Sequence, residues 1–140
     1  MKKHLQVVLS FLFVSNAQFA QPTDILISEY VEGSSNNKAL EFYNGTGSSI
    51  DLSAGGYVVE MYFNGSTSPS TTINLTGTVA NDDVYVLADD NASSTILAVT
   101  DQTSTSSFFN GNDAVVLKKG GTSGTILDAI GQVGVDPGTE

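Results

Sequence analysis

The stretch Tyr57-Val58-Val59-Glu60-Met61-Tyr62-Phe63 places Tyr57, Val59, Met61 and Phe63 on one face of an extended chain and Glu60 on the other. A period of two is the signature of a strand with one face packed. The same reading extends outward. Leu40 and Phe42 alternate with Glu41 and Tyr43 within residues 39–44, and Ile25 and Ile27 share a face within 24–30. Residues 83–88 are nearly continuous in apolar side chains, which predicts a central strand shielded on both faces. Further strands are predicted at 71–75, 96–99, 114–118 and 126–130. Between them, at intervals of roughly ten residues, stand clusters of turn-forming residues. Asn44-Gly45, Gly55-Gly56, Asn64-Gly65, Asn110-Gly111 and Gly120-Gly121 tolerate positive φ. Residues 66–72 and 101–107 read as Ser/Thr-rich loops, and 80–83 as a polar turn. No window holds a capped 3.6-residue period. The chain is therefore expected to be an all-β sandwich in one domain of 140 residues.

The N-terminus is of another kind. Lys2, Lys3 and His4 precede the apolar run Leu5 to Val14, and small residues follow at Ser15, Ala17 and Ala20. That order marks a Sec-type signal peptide over residues 1–20, cleaved after Ala17 or Ala20. The run is too short for a permanent span, which needs about 20 apolar residues. A secreted or cell-surface protein without a membrane span in its mature form is expected, with its folded domain over 24–140. The Gly- and Pro-containing end, 131–140, has no closing strand, so the domain is expected to be truncated and to continue past Glu140 into downstream domains of a longer chain.

Charge narrows the partners. The whole chain carries a formal net charge of −10 and a single His. Loss of Lys2 and Lys3 leaves Lys38, Lys118 and Lys119 against 15 Asp and Glu. Nucleic-acid binding is driven by Lys and Arg neutralising phosphates, so direct nucleic-acid contact is not expected. After residue 20 there is no His, Cys, Arg or Trp. A Ser-His-Asp or Cys-His centre therefore has no imidazole, and zinc has none of its usual ligands. Carboxylate pairs of the glycosidase kind remain the one catalytic arrangement. The Asp residues fall mostly in turns, however, where they bond to nearby backbone. No catalytic residue is expected.

Calcium, which takes oxygen ligands, is the cofactor that remains open. Its candidate ligands are Asp82, Asp83, Asp89, Asp90 and Asn91, flanking the fifth predicted strand, with Glu32, Asn36 and Asn37 in the first loop. No calcium-loop spacing accompanies them, and solvated turn residues are the favoured reading. Tyr30, Tyr43 and Tyr62 are candidates for stacking on a sugar ring as an extracellular or surface ligand. Sequons stand at Asn44, Asn64, Asn74 and Asn91.

The run Asp24-Ile-Leu-Ile-Ser-Glu-Tyr-Val-Glu-Gly-Ser-Ser-Asn-Asn-Lys-Ala-Leu-Glu-Phe-Tyr-Asn44 resembles the opening of bacterial lamin-tail domains, with an Ile-Ser-Glu core in the first strand and Ala-Leu-Glu-Phe-Tyr-Asn in the second. Phe108-Phe-Asn-Gly-Asn-Asp-Ala-Val-Val-Leu-Lys118 and Asp128-Ala-Ile-Gly-Gln-Val-Gly134 are similar to the family's late hairpin. The resemblance covers nearly all of the chain after the signal peptide. It implies an immunoglobulin-like β-sandwich acting as an accessory module of a secreted or surface protein. Directly after a signal peptide, it is similar to the N-terminal part of extracellular nucleases, whose metal-dependent catalytic domain lies far downstream. It implies no catalytic or ligand residue here. An adhesion or carbohydrate-binding module without an attached enzyme is the alternative.

Overall fold

The computed structural model describes residues 21–138. The signal peptide expected at 1–20 lies outside the described residues. Twelve elements follow one another: β1 (Leu26–Glu32), β2 (Lys38–Asn44), β3 (Ile50–Asp51), α1 (Leu52–Gly55), β4 (Val58–Tyr62), β5 (Thr71–Asn74), β6 (Thr78–Val79), β7 (Asp83–Asp89), α2 (Ser94–Leu97), β8 (Gln102–Ser104), β9 (Ala114–Lys119) and β10 (Thr125–Ile130). They form two four-stranded sheets, β1-β2-β7-β8 and β10-β9-β4-β5, and a two-stranded ribbon β3-β6. The chain is an all-β, immunoglobulin-like sandwich.

The core is built by the alternation seen in the sequence. Leu40 and Phe42 of β2 and Leu87 of β7 face Val59 and Met61 of β4 and Val115 and Leu117 of β9, all completely shielded from solvent. Glu60, between Val59 and Met61, points to the outer face of its sheet and is also buried. There it accepts from Lys118 Nζ (2.8 Å) and from the Tyr62 hydroxyl (2.6 Å) on the same oxygen. Burial, then the hydrogen bond to Glu60 and its charge, push the Tyr62 hydroxyl up to about 12.

The region expected to be a strand at 96–99 is instead the helical turn α2. Leu97 and Ala98 donate back to Ser93 and Ser94, and Ile96 packs beside Ala39, Val86 and Ala88 on the outer face of the first sheet. The cause lies one step further on. Residues 102–104, expected within a loop, form β8, which pairs parallel to β7 with Leu87 opposite Gln102. Parallel neighbours need a crossover connection, and 90–101 supplies it through α2. Gln102 is held by its side chain: Oε1 accepts from Tyr85 Oη (2.7 Å) and from the Thr76 amide (2.9 Å).

The turn residues divide. Asn64 and Gly65 both adopt positive φ, as a tight turn between antiparallel strands requires. Gly56, at φ 63, caps α1 with its N–H on Leu52 and Ser53, and the backbone of Gly120 and Gly121 would crowd a Cβ there. Asn44-Gly45 makes no such turn. Asn44 is the last residue of β2 and is fully buried. Its Nδ2 donates to the carbonyls of Ser48, Val79 and Ala80, and its Oδ1 accepts from the amide and hydroxyl of Thr46. One side chain thus fastens the end of β2 to β6 and to the turn before β7.

Truncation of Asn44 removes all of these bonds; the Ser48 and Val79 carbonyls keep only the hydroxyls of Thr46 and Ser49, and the Thr46 amide loses the acceptor it has here. Asn44→Ala is expected to lower stability by about 2–4 kcal/mol in urea unfolding. A loss within error would show that the corner is held by other contacts.

Candidate functional site

Loops gather at the end of the sandwich where β1 finishes, and two clefts open there. The larger, of about 400 Å³, is walled by Tyr30, Asn112, Asp113, Ile130, Val135 and Pro137. Three separate stretches build it: the end of β1, the turn before β9, and the segment after β10. Tyr30 stacks on Phe109 with ring centroids 4.2 Å apart and 27° between planes, which fixes its ring at the cleft wall. Its hydroxyl donates to Glu32 Oε2 (2.9 Å), and Glu32 Oε1 pairs with Lys38 Nζ (3.0 Å). Burial, then this hydrogen bond and the Glu32 charge, raise the Tyr30 hydroxyl far above the usual phenol value. Burial pushes Glu32 up, but bonds from Lys38, Tyr30 and the Gly111 amide outweigh it and hold the carboxyl below its ordinary value.

The rest of the wall is equally tied. Asp113 is buried and accepts from the amides of Asn64 and Asn110, both at 2.8 Å. Asn112 Nδ2 donates to Asn64 Oδ1 and Asp136 Oδ1. The Gly134 amide donates to Ser66. The segment 131–137 is therefore laced to the 64–66 turn and forms the far wall. The second cleft, of about 320 Å³, is polar, with Ser35, Asn36, Asp89, Asn91 and Ser106 around it. Lys38 lines this cleft and Glu32 the first, so one partner of their ion pair serves each.

The calcium candidates do not come together as one group. Asp82 and Asp83 stand at the start of β7, whereas Asp89, Asp90 and Asn91 stand at its far end, about 20 Å away for a seven-residue strand. Asp82 accepts from Tyr43 Oη (3.0 Å) and Asn81 Nδ2 (2.8 Å). Asp83 accepts from the Val84 amide (2.9 Å). Asp89 accepts from the Asn91 amide (2.8 Å), and Asp90 from Asn91 Nδ2 (2.6 Å). Among the described residues no three Asp, Glu, His or Cys are placed to hold a metal ion. Asn36 and Asn91 do meet, across the polar cleft. Of the tyrosines, Tyr30 lines a cleft. Tyr43 is spent on Asp82, and Tyr62 is buried on Glu60. Among the sequons, Asn64, Asn74 and Asn91 are exposed, whereas buried Asn44 is closed to modification in the folded chain.

Two features lay outside the sequence reading. One is the contact set of Asp24, which accepts from the Tyr57 hydroxyl and from Lys119 Nζ (2.7 Å). The other is the Tyr30 cleft, whose walls are distant in sequence. A polar Glu60 inside an apolar strand was the available signal for the buried ion pair. No comparable signal marks the cleft. Neither cleft offers an imidazole, thiol or guanidinium; their titratable groups are Tyr30, Glu32 and Asp113 in the first and Lys38 and Asp89 in the second.

The chain matches the Lamin Tail Domain family over residues 18–134. That span is most of the chain, and the chain belongs to this family, a non-catalytic immunoglobulin-like domain. No curated protein matches it. Among the described residues no helix is long and apolar enough to cross a membrane.

Two measurements probe these carboxylates. Burial pushes Asp24 up, yet bonds from Lys119, Tyr57 and the Ile25 amide hold it, like Glu32, below its ordinary value. Both carboxyls therefore bind protons less readily folded than unfolded. Their stabilisation is complete above about pH 5 and is lost as pH falls through their folded values. Tm is expected to fall on acidification, and Asp24→Asn and Glu32→Gln are each expected to make that acid limb shallower; unchanged limbs would contradict the assignment. Calorimetric titration with millimolar calcium is expected to give no binding heat and an unchanged Tm. Heat that disappears in Asp90→Asn would instead assign the ion to the 89–91 turn.

Proposed function

We propose that this lamin tail domain is a non-catalytic accessory module, binding, targeting or spacing the parts of a secreted multidomain protein. One observation carries the reading: the sandwich presents, at its loop-bearing end, clefts whose carboxylates are held in hydrogen bonds and ion pairs within the chain, Glu32 by Tyr30 and Lys38, and Asp113 by the amides of Asn64 and Asn110. Binding residues on loops held by a fixed scaffold are the usual way such a fold acquires a role. The signal-like residues 1–20 support export. The Ile-Ser-Glu and Ala-Leu-Glu-Phe-Tyr-Asn blocks behind them support placement at the N-terminus of an extracellular, metal-dependent endonuclease. In that arrangement the acidic sandwich does not hold the nucleic acid itself, because its field repels phosphate. The enzyme would lie beyond Glu140.

A second reading is favoured by the Tyr30 cleft. An aromatic ring fixed against Phe109, with Asn112 and Gln132 beside it, suits the apolar face and hydroxyls of a sugar. In that case the chain is a surface-adhesion or carbohydrate-binding module with no enzyme attached.

Reading the gene beyond the codon for Glu140 tests the first proposal. A continuous frame encoding a hydrolase domain is the expected result, and a continuation lacking one would overturn the nuclease assignment. A glycan array tests the second reading. Binding by the purified protein that is lost in Tyr30→Ala, with Tm retained, would favour it over the first.

A further inference from the structure

The outer face of the first sheet carries a groove of about 300 Å³ that the loop-end clefts do not reach. Its walls include Glu29 and Val31 of β1, Glu41 of β2, Val86 of β7, and Ile96 and Val99 beside α2. The floor is apolar: Ala39, Val86 and Ala88 form a small buried cluster, with Val31 and Ile96 packed on it. Val99, at the rim, is 66% exposed. An aliphatic side chain left in water beside an apolar groove is a mark of a contact surface.

Charge says what kind. Glu29 stands directly opposite Glu41 in the β1–β2 register, and both line the groove. Like charges directly opposed across a strand pair destabilise the sheet, unless a cation settles between them. The Ser28 hydroxyl donates to Glu41 Oε1 (2.8 Å), which does not neutralise the pair. No lysine among the described residues does so either. Lys38 is paired with Glu32, Lys118 with Glu60 and Lys119 with Asp24.

We propose that this groove is a docking site for a protein segment alternating Lys or Arg with aliphatic side chains. The cation sits between Glu29 and Glu41, and the aliphatic side chains cover Ile96 and Val99, above the buried Val86. A second copy of the chain is a poor occupant, because its lysines are already paired and its net charge has the same sign. The net charge of −10 also draws a basic segment in from a distance. The site is independent of the loop-end clefts and of any enzyme joined to the chain.

The test uses the purified protein and a fluorescein-labelled peptide of alternating valine and lysine, with valine–glutamate and serine–lysine peptides as controls. Anisotropy is expected to show binding of the first alone, weakening as salt rises. The double variant Glu29→Gln/Glu41→Gln and, separately, Val99→Ser are each expected to reduce affinity about tenfold, with Tm raised in the double variant, where the repulsion is removed, and unchanged in Val99→Ser, whose side chain is largely exposed. Asp83→Asn/Asp90→Asn, which removes the same charge elsewhere, is expected to leave affinity intact. Amide NMR shifts on peptide addition are expected at Glu29, Glu41, Val86 and Val99. Equal loss in the Asp83/Asp90 variant, or shifts elsewhere, would overturn the proposal in favour of diffuse electrostatic attraction. Dimerisation in sedimentation that Val99→Ser abolishes would give the groove to a second copy and overturn it as well.

Discussion

Leu40, Phe42, Leu87, Val59, Met61, Val115 and Leu117 are sealed between two sheets, and that seal constrains everything else in the molecule. A strand side chain has only two directions. Once these residues face inward, register is fixed, because a slip of one residue would turn the whole set outward. The chain has no Cys, so no staple relieves the core of this task. Two stacked sheets also leave four edge strands, and the structure deals with edges individually. β8 is short. β1 and β10 carry bulges, at Ile27–Glu29 and Ile126–Asp128. The Ile27 N–H at the first bulge donates to Asp128 Oδ2 at the second (2.9 Å). One carboxylate thereby joins the edges of opposite sheets where no ladder can, and makes them poor templates for further pairing.

The polar side chains that matter to the fold act at such discontinuities. Asn44 closes the corner where β2 ends and β6 passes. Asp24 joins the residues before β1 to Tyr57 and Lys119 of the other sheet. Glu60 and Lys118 sit on the outer face of their own sheet, nearly sealed. A pair of this kind contributes little over an apolar replacement, but removing one member strands the other, at a cost of about 3–5 kcal/mol. These lysines are structural, and the surface is left with carboxylates that no cation balances. An acidic exterior is thus a consequence of how the few cations are used, not only of how few there are.

The sequence made the long strands legible, because residues 26–32, 38–44, 58–62, 83–89 and 114–119 each show alternation or a continuous apolar run over at least two turns of the pleat. The short pieces were not. β3 and β6 have two residues each, too few for any period to register. β8, Gln-Thr-Ser, is polar and depends on β7 for every ladder bond. Residues 96–99 read as a strand because Ile and Val favour one. The site beside β7 was already taken by β8, and Ile96 and Val99, three apart, found a common face on a helical turn instead. Asn44 read as a turn former because Asn-Gly usually is one; the competing demand of three carbonyls from two other segments was visible only in space. The candidate site was the least legible part. Tyr30 was singled out as an exposed aromatic, but its stacking on Phe109 and the wall supplied by 131–137 bring together residues a hundred positions apart.

The two outer faces differ in a way that bears on what the sandwich can contact. On the second sheet the outward Glu60 meets Lys118 and Tyr62, so its charge is spent within the sheet. On the first, Glu29 meets Glu41, and beside them Ile96, half-buried over Val86, and Val99, largely exposed, form an apolar rim. The same residue type in the same relation to a strand is thus neutralised on one face and left as an opposed pair on the other. Stability alone gives no reason for the second arrangement, since Lys or Thr at either position would remove the repulsion. An interaction with a cation from outside the chain does give one, because the repulsion present in the free protein becomes attraction in the complex.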